Sequence, residues 1–205
     1  MSKPDPLELL SKQDLRLGRL IKSIGNYSIQ THDNFFESLL KSIVYQQLAG
    51  SAANAIYSRF LLYYGDTLPT PEQIISTSDT TLRFTVGLSF KKVQYIKNLA
   101  IKIVSGELNI HHLPDLQDEQ VVTELVKVKG IGRWTAEMFL IFCLRRVDVI
   151  PLGDLGVKKA IQKLYDLSEL PTHGYMVEVS SRWKPYKSIA TWYLWKSLSK
   201  FESIG

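Results

Sequence analysis

Cysteine is almost missing from this chain: Cys143 is the only one in 205 residues. That excludes a disulfide framework within the chain and any cysteine-ligated zinc or iron–sulfur centre. The histidines, His32, His111, His112 and His173, lack the spacing of a zinc site, so no metal held by side chains is expected. Long apolar runs are missing too. The longest, Met138 to Leu144, falls far short of the ~20 residues that a membrane-spanning helix needs. The opening stretch MSKPDPLELLSKQDLRLGRL has no apolar core of a secretory signal, and a soluble, intracellular protein with no membrane partner is expected. Period-two alternation scarcely occurs, which argues against a sheet. Glycine/serine linkers, low-complexity tracts and internal repeats are absent as well.

What is present is an ordinary globular composition, 45% hydrophobic and 22% charged, long enough for one domain or two small lobes with a sizeable core. Lys and Arg number 25 against 20 Asp and Glu, a formal +5. Such a surplus suits a polyanionic partner, because neutralising phosphates releases counterions, although many enzymes that never touch nucleic acid share it.

Helical periodicity recurs with start and stop signals. Leu15, Leu17, Leu20, Ile21 and Ile24 share one face of a first helix that stops at Gly25. A second runs from about Asn34 to the polar break Gln46-Gln47, and a third from Ala52 to about Tyr64, before Gly65. Thr70-Pro71-Glu72-Gln73 has the N-cap, N1 and N3 residues of a helix start. A helix from Ser78 or Asp79 to Val86 is expected next. Gly87-Leu88-Ser89 then leads into an amphipathic helix from Phe90 to Ser105, with Gly106 as its C-cap. Asp118 opens another. After Asp154 a basic helix reaches Tyr165, a polar loop contains Pro171 and Gly174, and helices over Tyr175–Ser181 and Pro185–Ser199 complete an all-α chain of roughly ten helices.

The centre of interest is 125–156, LVKVKGIGRWTAEMFLIFCLRRVDVIPLGDLG. A helix ends, the turn Gly130-Ile131-Gly132 follows, an apolar helix runs from Arg133 to Arg146, and a loop with Pro151 and Gly153 leads to Asp154. Gly130 and Gly132 allow positive φ and remove Cβ atoms that would hold a ligand away. Ile131 is expected to point inward, and the N–H groups at the next helix start suit a phosphate oxygen. Lys127, Lys129 and Arg133 surround the turn, and Thr135 offers a hydroxyl. A tight helix–helix turn that merely needs glycine is the plain alternative. For Asp154 the plain alternative is an N-cap.

The segments SIVYQQLAGSAA, GLSFKKVQYIKNLA, VKGIGRWTAEMFLIF, DVIPLGDLGVKKAI and RWKPYKSIATWYLW, in this order, resemble the blocks of the helix-hairpin-helix DNA glycosylase superfamily. The resemblance is to its DNA-3-methyladenine glycosylase II (AlkA-type) branch, and it covers about Phe35 to Ser199. Val128-Lys129 stands where the family commonly has Leu-Pro, which keeps the turn and adds a positive charge.

The resemblance implies two helical lobes with a DNA-binding cleft between them, one over about 51–149 and the other joining 1–50 to 150–205. It also implies a compact form that lacks the N-terminal β domain of fuller members. Asp154 aligns with the catalytic aspartate, a carboxylate that would stabilise oxocarbenium-like charge and orient water. Lys129, Gly130, Ile131, Gly132, Arg133, Thr135 and Lys158 are then expected on the DNA backbone, and the main-chain carbonyls of Val126, Val128 and Ile131 could hold a structural Na+ or K+ ion. No other cofactor is implied. Trp134, Trp195 and Tyr45 are expected to line the base pocket, with Trp192 and Tyr193 as further candidates that read equally as core; Trp183 and Tyr186 read as structural. Leu48 matches the wedge position with Gln47 beside it, whereas from the residues alone Leu48 reads as core. Ala49-Gly50-Ser51 has no bulky probe for the opposite strand. Lys159, and the Gly87-Leu88-Ser89 turn with Lys91 and Lys92, read either as further phosphate contacts or as solvated surface.

Trp134 stands where glycosylase/lyase relatives carry a Schiff-base lysine, so a monofunctional enzyme is expected. The expectation is thus a monomeric glycosylase that excises 3-methyladenine- or 7-methylguanine-type bases from double-stranded DNA, in the nucleoid or cytoplasm of a prokaryote or the nucleus of a eukaryote. Its rivals are a glycosylase for deaminated or mismatched bases, and a non-catalytic damage-binding protein that keeps the hairpin.

Overall fold

The computed structural model describes residues 5–202 and is all helical there, as expected. Its elements are α1 (Pro6–Gln13), α2 (Leu15–Ile24), α3 (Phe35–Tyr45), α4 (Gly50–Tyr63), α5 (Pro71–Ser76), α6 (Phe90–Val104), α7 (Asp118–Val126), α8 (Arg133–Phe142), α9 (Leu155–Tyr165), α10 (His173–Ser181) and α11 (Lys187–Glu202). A π-helical turn at Thr81–Thr85 and a 3-10 turn at Leu113–Asp115 complete them.

The start signals work as the chemistry requires. Thr70 closes a full capping box with Gln73 at the head of α5, and Asn34 accepts the Glu37 N–H at the head of α3. Several boundaries differ from expectation. A separate helix, α1, precedes α2, because Asp14 leaves helical geometry and accepts the N–H groups of Arg16 and Leu17. The segment before Val86 winds as a π-turn, not an α-helix. α8 stops at Phe142, not at Arg146: Arg145 takes φ +55°, outside helical geometry, and the Arg146 N–H returns to the Leu140 carbonyl. Gly174 lies inside α10, because Thr172 caps the helix through the Tyr175 N–H.

The chain divides into two compact units, residues 1–31 with 140–205 and residues 32–139. This differs from the expected division at 50/51 and 149/150. α3 packs on α4 and α6 and so belongs to the second unit. Ser188 of α11 accepts the Val149 N–H and meets the Arg146 carbonyl, which ties 146–149 to the first unit.

In the first unit α11 packs on α9 and α2, around Leu10, Leu17, Val157, Ile161, Met176, Trp183, Tyr193 and Leu194. Asp14 is buried there and accepts the Trp183 indole N–H at 3.0 Å and the Tyr165 hydroxyl. Burial alone would raise the Asp14 carboxyl; these two donors and the N–H groups of Leu17 and Arg16 overcome it and leave the carboxyl below its ordinary value. In the second unit α3, α4, α5 and α6 bury Leu39, Leu40, Ile43, Phe60, Ile74, Val93, Ile96 and Leu99.

Candidate nucleic-acid interface and active site

The second unit carries the hairpin. α7 ends after Val126, and α8 starts at Arg133 with the Gly132 carbonyl accepting the first helical bond, from Ala136. Gly130 has φ +91°, and an added Cβ would run into the Tyr95 ring. Gly132 is different: its φ is not positive, and a Cβ there would meet nothing within 4 Å. Positive φ is therefore confined to Gly130. Ile131 is buried (4% exposed), as expected.

The turn is fastened from two elements distant in sequence. Asn98 of α6 accepts the Lys129 N–H at 2.8 Å, and the Gln46 side chain donates to the Gly130 carbonyl at 2.7 Å. Neither contact was foreseen: Gln46 and Asn98 lie in two of the quoted segments, but nothing in those segments says that their side chains reach the turn.

The side chains around the turn are not equivalent. Lys129 is exposed, whereas the Arg133 guanidinium is held by both Glu119 oxygens, at 3.0 and 2.7 Å. Thr135 keeps only 7% of its surface, so the hydroxyl contact expected of it has little room. Lys127 pairs with Glu124. Of the proposed cation ligands, the Val128 carbonyl accepts the Ile131 N–H at 3.0 Å. A carbonyl keeps a second lone pair, and main-chain oxygens are donors that Na+ and K+ accept, so the set fits such an ion.

The turn after α3 is also in this unit. Gln47 adopts φ +56°, uncommon for a residue with a side chain, and both Gln47 and Leu48 face solvent. Leu48 is 37% exposed, so the core reading of this residue does not hold. Tyr45 is tethered, its hydroxyl donating to Asn54 at 2.7 Å and its ring lying 6.1 Å from that of Tyr57. Trp134, on the first turn of α8, is 49% exposed. Lys92 reaches back to the Val44 carbonyl at 2.7 Å, and burial lowers its pKa. It ties α6 to α3.

The first unit carries the carboxylate. Asp154 is the N-cap of α9, and its Oδ1 accepts the Val157 N–H at 2.7 Å and the Trp195 indole N–H at 3.1 Å. Trp195 stacks on Phe142, ring centres 5.8 Å apart and planes 16° from parallel. Gly156 is the close neighbour of both groups: an added Cβ would lie 3.0 Å from Asp154 Oδ1 and 3.4 Å from Trp195 Cδ1. Phe142 and Gly156 escaped the sequence reading, the first inside a run read as core and the second as one glycine in a helix start.

Lys158 lies one turn into α9 and is partly buried, while Lys159 is exposed. Trp192 and Tyr193 belong to the core: Trp192 packs edge-on against Tyr27 at 5.1 Å, and the Tyr193 hydroxyl donates to the Gly25 carbonyl. Trp183 is fully buried and structural.

Residues 40–185 match the family described as HhH-GPD superfamily base excision DNA repair protein. The chain is 36% identical over 194 residues to DNA-3-methyladenine glycosylase 1 of Schizosaccharomyces pombe, covering 92% of this chain and 84% of that protein. A DNA-3-methyladenine glycosidase from Bacillus halodurans superposes with a TM-score of 0.89 at 37% identity, over 98% of this chain and 92% of that one. The S. pombe 3-methyladenine DNA glycosylase in complex with abasic DNA gives a TM-score of 0.83 at 35% identity, over 93% and 95%.

Proposed function

Because the chain belongs to the HhH-GPD superfamily of base excision DNA repair proteins, we propose that it is a monofunctional DNA glycosylase. It removes alkylated purines of the 3-methyladenine and 7-methylguanine type from double-stranded DNA and acts as a monomer where its DNA lies, in a nucleoid or a nucleus. The observation that carries this reading is the held carboxylate. Asp154 Oδ1 is fixed by a backbone N–H and by the Trp195 indole, more orientation than helix capping requires.

Breaking the N-glycosidic bond leaves positive, oxocarbenium-like charge on the deoxyribose, which a fixed carboxylate stabilises without reorganising. The same group orients the water that adds to the sugar. An alkylated purine is already cationic and departs with little proton donation, so no second acid is called for. The exposed face of Trp134 suits stacking on such an electron-poor base, with cation–π character. Trp134 also has no amine with which to form a Schiff base, so strand cleavage has no nucleophile at that position. The Gly130 and Gly132 N–H groups and the Lys129 side chain take the DNA backbone, and the exposed Leu48 fills the space of the extruded nucleotide. A Na+ or K+ ion on the Val126, Val128 and Ile131 carbonyls would add positive charge beside the phosphates.

Release of free bases from methylated duplex DNA tests the reading. Asp154→Asn is expected to lower the rate by about a hundredfold or more while retaining affinity for an abasic duplex; unchanged release would refute the assignment. Product strands should stay intact until alkali is added, and prompt nicking by the enzyme would refute the absence of a lyase step. Release of hypoxanthine or a mismatched pyrimidine in place of methylated purines would refute the substrate class alone.

A further inference from the structure

Gln46 stands at the joint between two features that the proposed function uses separately. Its backbone ends α3, leaving helical geometry at φ −53° and ψ 133°, and so opens the turn that presents Leu48. Its side chain donates to the Gly130 carbonyl at 2.7 Å, 84 positions further along the chain. Two neighbours also hold this end of α3: Lys92 donates to the Val44 carbonyl and the Tyr45 hydroxyl donates to Asn54, each at 2.7 Å. Those bonds lead to α6 and α4. The bond from Gln46 leads to the hairpin.

What that bond holds is one peptide plane. The Gly130 carbonyl and the Ile131 N–H belong to the same rigid group; Gln46 fixes the carbonyl, and the Val128 carbonyl accepts the N–H at 3.0 Å. The Lys129 N–H is taken as well, by Asn98 at 2.8 Å. Held peptides thus alternate with the two whose N–H groups, on Gly130 and Gly132, the proposed reading gives to a phosphate. Gly130, at φ +91°, has no side chain to restrict rotation of its peptides. A clamp on the plane between the two donors therefore fixes the direction of both.

Stability alone does not explain the arrangement. A neutral, half-buried carbonyl can be satisfied by water, and the turn that Gln46 opens is itself strained, since Gln47 adopts φ +56°. Strain of this kind persists where the surroundings over-determine it, and it clusters at functional sites.

We infer that Gln46 is a positioning residue, which sets the register between the turn that grips phosphate and the turn that carries the wedge. Seating of the backbone and insertion of Leu48 then occur as one event. The inference rests on the proposed reading of both turns. Extruding a nucleotide needs them together, because the strand must be held while the gap in the stack is filled.

Duplex binding and single-turnover base release test this with the full chain. Gln46→Met keeps the length and removes the donor. It is expected to leave the melting temperature and the affinity for undamaged duplex nearly unchanged. Methylated bases should nonetheless leave about tenfold more slowly at saturating protein, with a matching loss of the 2-aminopurine fluorescence that reports extrusion. Leu48→Ala should slow release too, and the double variant no more than the worse single one, because both disturb the same step. Gln46→Glu can donate only when its carboxyl is protonated, so its defect relative to the wild type should shrink from pH 8 to pH 5. If Leu48→Ala slows release and Gln46→Met does not, or if the two defects multiply, the coupling is overturned and the glycosylase reading stands. A Gln46→Met variant that melts far lower, or loses affinity for undamaged duplex, would show a mere brace of the hairpin and overturn the coupling as well. Wild-type release by Leu48→Ala would refute the wedge reading and this inference with it, whereas no base release by the unaltered protein would refute the glycosylase reading itself.

Discussion

Asp154 is both a helix cap and the proposed catalytic group, and the two roles share one oxygen. Its Oδ1 receives the Val157 N–H that any capping aspartate would take, together with the indole N–H of Trp195. The stacked Phe142 ring holds the indole plane. Gly156 is what lets these groups approach, because a methyl there would sit 3.0 Å from the carboxylate oxygen and 3.4 Å from the indole. Helix propensity pulls the other way: Gly→Ala within a helix gains up to ~1 kcal/mol. The strain on the capping carboxylate offsets that gain, so Gly156→Ala is expected to change the melting temperature little, yet release methylated bases about tenfold more slowly. A scan of thermal unfolding beside single-turnover base release checks this. Equal activity in a folded variant would show that the Asp154–Trp195 spacing does not matter to the chemistry.

The hairpin shows how differently two glycines of one turn are used. Gly130 serves the protein, since its φ of +91° and the Tyr95 ring exclude a side chain. Gly132 lacks a positive φ and has open space around its missing Cβ, and on the proposed reading that space is where the DNA backbone comes close. Gly130→Ala is expected to cost about 1–3 kcal/mol of stability. Gly132→Val should leave the urea midpoint close to that of the unaltered protein and weaken DNA of any sequence tenfold or more. Chemical denaturation and filter binding separate the two, and matching losses of stability would sink the distinction. The turn, its buried Ile131, the cap at Asp154 and most helix starts were legible, because each is written in a few adjacent residues. What supports them was not. Asn98, Gln46 and Tyr95 reach the turn from afar, and Glu119 takes up Arg133 from fourteen positions earlier. The break at Asp14 was hidden because Asp14-Leu15-Arg16-Leu17 continues a helical pattern, and only its bonds to the Arg16 and Leu17 N–H groups show it to be a cap for α2.

Asp14 also governs how the first unit, which contains Asp154, withstands acid. It joins the start of α2 to Tyr165 at the end of α9 and to Trp183 after α10, and it is buried. Its four donors favour the ionised form more than burial opposes it, so the folded carboxyl stays below the ordinary 3.8. A depressed carboxyl contributes stability that is present above its unfolded value and lost as pH falls through the folded one. Glu37 behaves likewise, lowered first by Lys41 against the cost of burial, so wild-type stability should decline on acidification for more than one reason. The difference between the wild type and Asp14→Asn isolates the contribution of Asp14. The amide keeps the shape but replaces an acceptor with a donor facing the indole and phenol N–H and O–H groups. At pH 7 the variant is expected to be less stable by about 2–4 kcal/mol, and the gap should shrink as pH drops below about 4. Urea unfolding followed by tryptophan fluorescence at pH 7, 5 and 3 measures it. A gap of constant size across that range would mean that shape, not the Asp14 charge, holds this corner together.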